Sequence, residues 1–304
     1  AGDLDEWRIE VSGGEAALTG LAPDRARRDA ASGRFAAAAR EGGFEGRVRL
    51  GVGPRHLDPR DIAALLAPLA SCGPLTETPP PGDDYPLGGT VGIAGAVATQ
   101  ADAEKIRAAL DARIGDRVTR LELTVLNPKL CAVQALLPEV PAGPISIVFG
   151  TGSASGTVAP NMSGVFAVGD NPVIDVLAPG TLDSGYLWVG IADVTGNLYN
   201  ILPNIGRPDN VLADIGTLDG GVRDIRVAYS SQEKAADPGK LSFNVDDTFG
   251  KSLVIAMHTD RPLFEVPRPT TESVESFADG LREVIAKGEV RILSVTSRLI
   301  DTRQ

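Results

Sequence analysis

The hydrophobic period changes once along this chain, near residue 140, and that change constrains the fold more than any single motif. Before it, short alternating runs trade places with runs of helical spacing. Trp7 to Val11 and Ala17 to Leu21 alternate across Gly13-Gly14, a hairpin signal. Pro23 to Glu41 then places Ala31, Phe35, Ala38 and Ala39 at helical spacing, Arg47 to Val52 alternates again, and Leu57 to Ala70 reads as a helix opened by Asp58-Pro59. The same order returns about 75 residues later. Leu75 to Thr78 and Thr90 to Val97 are strands, Gln100 to Ile114 is a helix with Ile106, Leu110 and Ile114 on one face, and Arg117 to Val125 closes the set. Leu126-Asn127-Pro128 then repeats the Leu57-Asp58-Pro59 helix opening. The pattern predicts two ββαβ units, 1–72 and 73–140.

From Pro144 the chain is strand-patterned, with seven candidates: Ile145–Phe149, Val173–Leu177, Gly185–Ala192, Leu198–Leu202, Val222–Ala228, Leu241–Val245 and Leu253–His258. Only Thr270 to Lys287 is helical, with Val274, Phe277, Leu281 and Ile285 on one stripe and Gly288 as the stop, before a last strand at Val290 to Leu299. The 35 Gly and 22 Pro residues are the turns such a region needs. The predicted class is α+β: two ββαβ units, then a mainly antiparallel β-sandwich over 141–304 with one C-terminal helix at 270–287.

Composition narrows the chemistry. With two His and two Cys, a His-rich or Cys₄ metal site is out of reach. A net charge of −11 disfavours a general nucleic-acid binder, and no apolar run is long enough to span a membrane. Neither His56 nor His258 has a second ligand at metal-site spacing. Gly150, Gly152 and Gly156 miss the phosphate-loop register, and Ser153 and Ser155 miss the nucleophile elbow. Asp246-Asp247 reads as a solvated turn. No catalytic residue, metal site or cofactor is expected. Tyr186, Trp188 and Tyr199 gather in one hairpin; they are either core packing or an aromatic binding surface.

Two stretches carry family resemblances. Glu15-Ala16-Ala17-Leu18-Thr19-Gly20-Leu21-Ala22 and Gly89-Thr90-Val91-Gly92-Ile93-Ala94-Gly95-Ala96-Val97 resemble the strand that precedes the helix in BON domains. That resemblance implies a periplasmic or outer-membrane setting and contacts with phospholipid or an envelope protein. Tyr186 to Asn204, with Leu253 to Phe264 behind it, resembles a bacterial C-terminal β-sandwich domain of unknown function found in envelope and signalling proteins.

Cys72 and Cys131 are then either a disulfide, as an oxidising compartment favours, or two buried thiols. The expected function is a non-catalytic periplasmic binding or scaffold module, with an anchor allowed outside these residues. It would act through an envelope protein, lipid or peptidoglycan. The alternatives are the extracytoplasmic sensor domain of a membrane-bound serine/threonine kinase or similar signalling protein, and a hydrolase using acidic residues.

Overall fold

The computed structural model describes residues 7–135, 137, 140 and 143–304. The chain divides into two compact units, Ala1–Leu126 and Asn127–Gln304. The expected 140/141 boundary abuts residues outside the described set, and the helix opened by Asn127-Pro128 groups with the second unit.

The first unit runs β1 (Arg8–Ser12), β2 (Glu15–Ala22), α1 (Arg25–Glu41), β3 (Glu45–Val52), α2 (Pro59–Leu66), β4 (Thr76–Glu77), β5 (Thr90–Val97), α3 (Gln100–Arg113) and β6 (Val118–Val125). It contains two three-stranded sheets, β1-β2-β3 and β4-β5-β6. Each has an antiparallel first pair and a parallel second pair joined by the helix. The ladders correspond residue for residue. Glu15↔Glu45 through Ala22↔Val52 matches Thr90↔Val118 through Val97↔Val125. Gly20 and Gly95 occupy the same place in each, both at positive φ (135° and 147°), where a side chain is strained. Asp24 and Thr99 cap the two helices. Ala31, Phe35 and Ala39 of α1 are buried where α3 buries Ile106, Leu110 and Ile114.

The repeats differ in what covers the sheet. The second core also takes in Ile62 and Leu66 of α2, Leu57 just before it and Tyr85, so a helix on the first side of the expected 72/73 boundary completes the second repeat. Among the described residues, the core cluster of the first repeat comprises Ala16, Leu18, Ala31, Phe35, Ala39 and Leu50.

Arg117 ties the repeats together. It is 5% exposed and faces backbone carbonyls: Tyr85 O at 2.7 and 2.8 Å, Pro54 O at 3.0 Å, Arg55 O at 3.0 Å and Ile114 O at 3.1 Å. Burial holds its guanidinium below the usual arginine range, yet the fork satisfies five bonds at once. Beside it, Asp116 bridges Val52 from both sides, and a Cβ on Gly115 (φ 67°) would stand 2.1 Å from Val52 O. Arg117→Lys, which keeps the charge but not the fork, is expected to lower first-unit stability by roughly 2 kcal/mol in urea unfolding.

The second unit opens with α4 (Pro128–Gln134), then β7 (Ser146–Gly152), β8 (Val158–Pro160), β9 (Val165–Ala167), β10 (Asn171–Pro179), β11 (Tyr186–Ala192), β12 (Asn197–Leu202), β13 (Thr217–Asp219), β14 (Val222–Ala228), α5 (Ser231–Ala236), β15 (Gly250–Thr259), β16 (Thr271–Ser273), α6 (Val274–Lys287) and β17 (Ile292–Arg303). Five strands form β13-β14-β10-β7-β8 and six form β16-β12-β11-β15-β17-β9, all antiparallel except β17 with β9. The sheets share a core that includes Ile147, Ile174, Val176 and Ile225 from one and Val189, Ile191, Val254 and Ile300 from the other. This is an α+β chain whose second unit is a β-sandwich, and α6 adds a third layer over the six-stranded sheet, where Phe277 stacks on Trp188.

Three local readings change. The C-terminal helix is not the only one after residue 144: α5 (Ser231–Ala236) forms where Ser230 and Glu233 make a capping box. Leu241–Val245 is not a strand: Leu241 O accepts from Tyr229 N while Val245 pairs with Gly169 and Asp170, so its ends bond to separate segments and no ladder forms. The helix expected from Thr270 begins at Val274, because Thr271–Ser273 pairs with β12 first and Ser273 then caps α6. Gly288 ends it at φ 65° as expected.

Candidate functional site

Between β15 and β16 the chain crosses α6 as a strap with Pro262, Pro267 and Pro269, none of which can donate to a ladder. Strap and helix enclose a groove of about 330 Å³. Leu263, Phe264, Val266, Val284 and Val290 supply its apolar lining, with Lys287 at the rim in a 2.8 Å pair with Glu283. Leu263 is buried, whereas Val266 is 73% exposed, so the groove is open on the strap side. A smaller hollow beside it is lined by Trp188, Pro203, Asn210 and Pro262. The two stretches that carried the sandwich-domain resemblance therefore meet at the strap.

The strap is held by a buried polar network. Trp188 Nε1 donates to Asn200 Oδ1 at 3.2 Å, and Asn200 Nδ2 donates to Pro269 O and to Glu272 Oε1, both at 2.9 Å. Glu272 also accepts from Arg268 Nε (2.9 Å), from Arg268 Nη2 and from Ser276 Oγ (2.7 Å). Arg268 continues over the Phe264 ring, 5.1 Å from its centre, and Phe264 meets Phe277 edge-on at 6.0 Å. A Cβ on Gly280 would stand 3.1 Å from Arg268 Nη1, which is why the strap can lie this close to the helix. Buried polar groups are costly unless satisfied, and here each is.

Burial alone would raise the Glu272 carboxyl, but the hydrogen bonds from Arg268, Asn200 and Ser276 outweigh it and hold it below the ordinary value of 4.5. A depressed carboxylate stabilises the fold above its ordinary value, and that stability is lost as pH falls through the lower folded value. Arg268 and Ser276 sit at i−4 and i+4 from Glu272, a spacing legible in the sequence; nothing local revealed the link to Asn200.

The three aromatics do not form one exposed platform. Trp188 is 1% exposed, with Phe277 stacked on its ring at 4.9 Å. Tyr199 lies on the opposite sheet face, across from Ile191, and packs against Phe243 in the sandwich core. Tyr186 is half-buried at the start of β11. Alternation and one-sided packing by α6 explain this: Trp188 faces the helix and Tyr199 faces the other sheet. What reaches the surface is the hollow beside Trp188.

A second basin surrounds Tyr229, with Arg207 and Lys240 over its ring at 5.7 and 4.9 Å. Arg226 engages Asp175 at 2.9 Å and Glu233 at 3.1 Å, and burial, with Asp175 nearby, raises the Asp224 carboxyl. Two of these three acids are thus already committed to one guanidinium. His56 Nδ1 lies 2.5 Å from Asp84, and His258 Nε2 lies 2.9 Å from Ser184 O. No group of three or more metal-ligating side chains occurs among the described residues, and none of their helices is long and apolar enough to cross a membrane. Gly150 and Gly152 belong to β7, and Gly156 to the turn after it. Neither cysteine is free: Cys72 and Cys131 are both disulfide-bonded.

Two outcomes are expected. Glu272→Gln lowers stability at pH 7 by about 1–3 kcal/mol and flattens the loss of stability below pH 4.5, measured as urea midpoints across pH. The denatured, non-reduced chain is expected to show no titratable thiol, and the reduced chain two, in a thiol-reagent assay.

No family model matches the chain, and no curated protein matches it significantly.

Proposed function

We propose that this chain is a non-catalytic binding module of the bacterial envelope, and that its strap groove receives an apolar or amphipathic segment of a protein partner. The observation that carries the reading is the groove itself: an open slot beside a buried network, in which Leu263, Phe264, Val266, Val284 and Val290 are flanked by charged residues, Glu265, Glu283 and Glu289 among them. Binding sites of this kind combine an apolar floor with a few placed polar groups. The paired ββαβ units, read as BON-like, and the oxidised cysteines support a periplasmic setting. The acidic surface argues against anionic vesicles as the main target, since like charges repel.

Trp188 lines the neighbouring hollow and offers a direct readout. With Trp7→Phe, Trp188 is the only tryptophan left. Its emission is expected to shift on titration with a capped Leu-Val-Leu tripeptide, and Val284→Asp is expected to weaken that response at least about tenfold. Phosphatidylglycerol vesicles and purified peptidoglycan serve as the competing probes. Silence towards all three would remove the proposal; a response to vesicles or peptidoglycan alone would move the function away from protein partners.

A further inference from the structure

The first ββαβ repeat leaves one edge of its sheet open in a way the second does not. β4 is two residues long and is followed by Pro79-Pro80-Pro81. Its Glu77 is bonded by the buried Tyr85 hydroxyl at 2.5 Å, and α2 packs into the same core. A short strand, prolines and a covering element are the usual means of blunting a sheet edge. β1 has none of them. It is five residues long, free of proline and exposed throughout, and among the described residues it pairs only with β2.

Its side chains divide cleanly by face. Ile9 and Val11 stand opposite Leu18 and Ala16, which are core residues beneath α1, so they lie on the helix side of the sheet. Yet Ile9 is 62% and Val11 56% exposed, because α1 covers β2 and β3 and stops short of β1. Trp7 continues the same face at 44% exposure. Arg8 and Glu10 point to the other side, and among the described residues they pair with each other, at 4.0 Å and in solvent.

We propose that β1 is the surface through which two copies of this chain associate, pairing antiparallel about a two-fold axis at Ile9. The sequence Trp7-Arg8-Ile9-Glu10-Val11 is complementary to itself in that register. Arg8 faces Glu10 of the second copy and Glu10 faces its Arg8, while Ile9 meets Ile9 and Trp7 meets Val11. Directly opposed residues share a face, so the apolar groups of both copies join on the helix side and the two ion pairs form on the other. A two-fold interface requires this reciprocity, and the result is one six-stranded sheet with both inner edges removed. This proposal is independent of the groove at α6.

The test is the mass of the full 304-residue chain by sedimentation equilibrium. The unmodified chain is expected to dimerise with a dissociation constant on the order of 10 μM. Arg8→Glu and Glu10→Arg each place like charges opposite one another and should weaken the dimer at least about tenfold. The double swap Arg8→Glu/Glu10→Arg should restore it, and mixing the two single variants should give a heterodimer. Both residues of these swaps are exposed, and circular dichroism checks that each variant is folded. A monomer at about 100 μM, or a dimer whose strength ignores the single charge changes, would overturn the proposal. A dimer weakened by the single variants and not restored by the double swap would also overturn it.

Discussion

The six-stranded sheet of the second unit has no solvent face over its central strands, and much of that unit follows from this. One side of β11 and β15 closes on the five-stranded sheet, and on the other side Trp188 of β11 meets Phe277 of α6. Strands in that position read as continuous apolar runs, and β15 is buried from Leu253 to Thr259. The helix that covers them must be amphipathic, and the chain that connects them must pass over the helix rather than beneath it. The strap is that connection, and its prolines, its arginine over Phe264 and that arginine's pairing with Glu272 of β16 are the devices that fix a non-ladder segment against a buried sheet.

That double burial also explains which parts of the fold were legible. Period-2 and helical spacing located both ββαβ repeats, most sandwich strands and the stripe of α6, because those patterns reflect which face is buried. Alternation alone could not say what each face of β11 meets. Trp188 and Tyr199 both read as aromatic residues in one hairpin, and only the helix layer assigns one to α6 and the other to the sandwich core. Asn200 and Glu272 sit on the paired strands β12 and β16 but 72 residues apart in sequence, so no local rule reaches their link. The short strands β8, β9, β13 and β16 were missed because three residues cannot establish a period. Leu241–Val245 has the alternation of a strand but no continuous partner, which sequence pattern does not report.

The repeats show how a shared plan tolerates unequal cores. Equivalent helix positions hold Ala31, Phe35 and Ala39 in one and Ile106, Leu110 and Ile114 in the other. The two cores differ mainly in what else reaches them, since α2 and Tyr85 add to the second alone. Arg117 and the Gly53–Gly115 contact then hold the pair at a spacing that a single methyl group would disturb.

The path of α2 has a consequence for how this unit comes to be folded. A helix that follows the first repeat in sequence but lies in the core of the second makes the two inseparable as folding units. Synthesis from the N-terminus delivers Leu57, Ile62 and Leu66 before the sheet they will cover exists, so they wait exposed until β6 emerges. A fragment beginning at residue 73 would possess every strand of its sheet and still lack part of its interior. Neighbouring repeats coupled by a shared element behave as one cooperative block rather than two beads on a string.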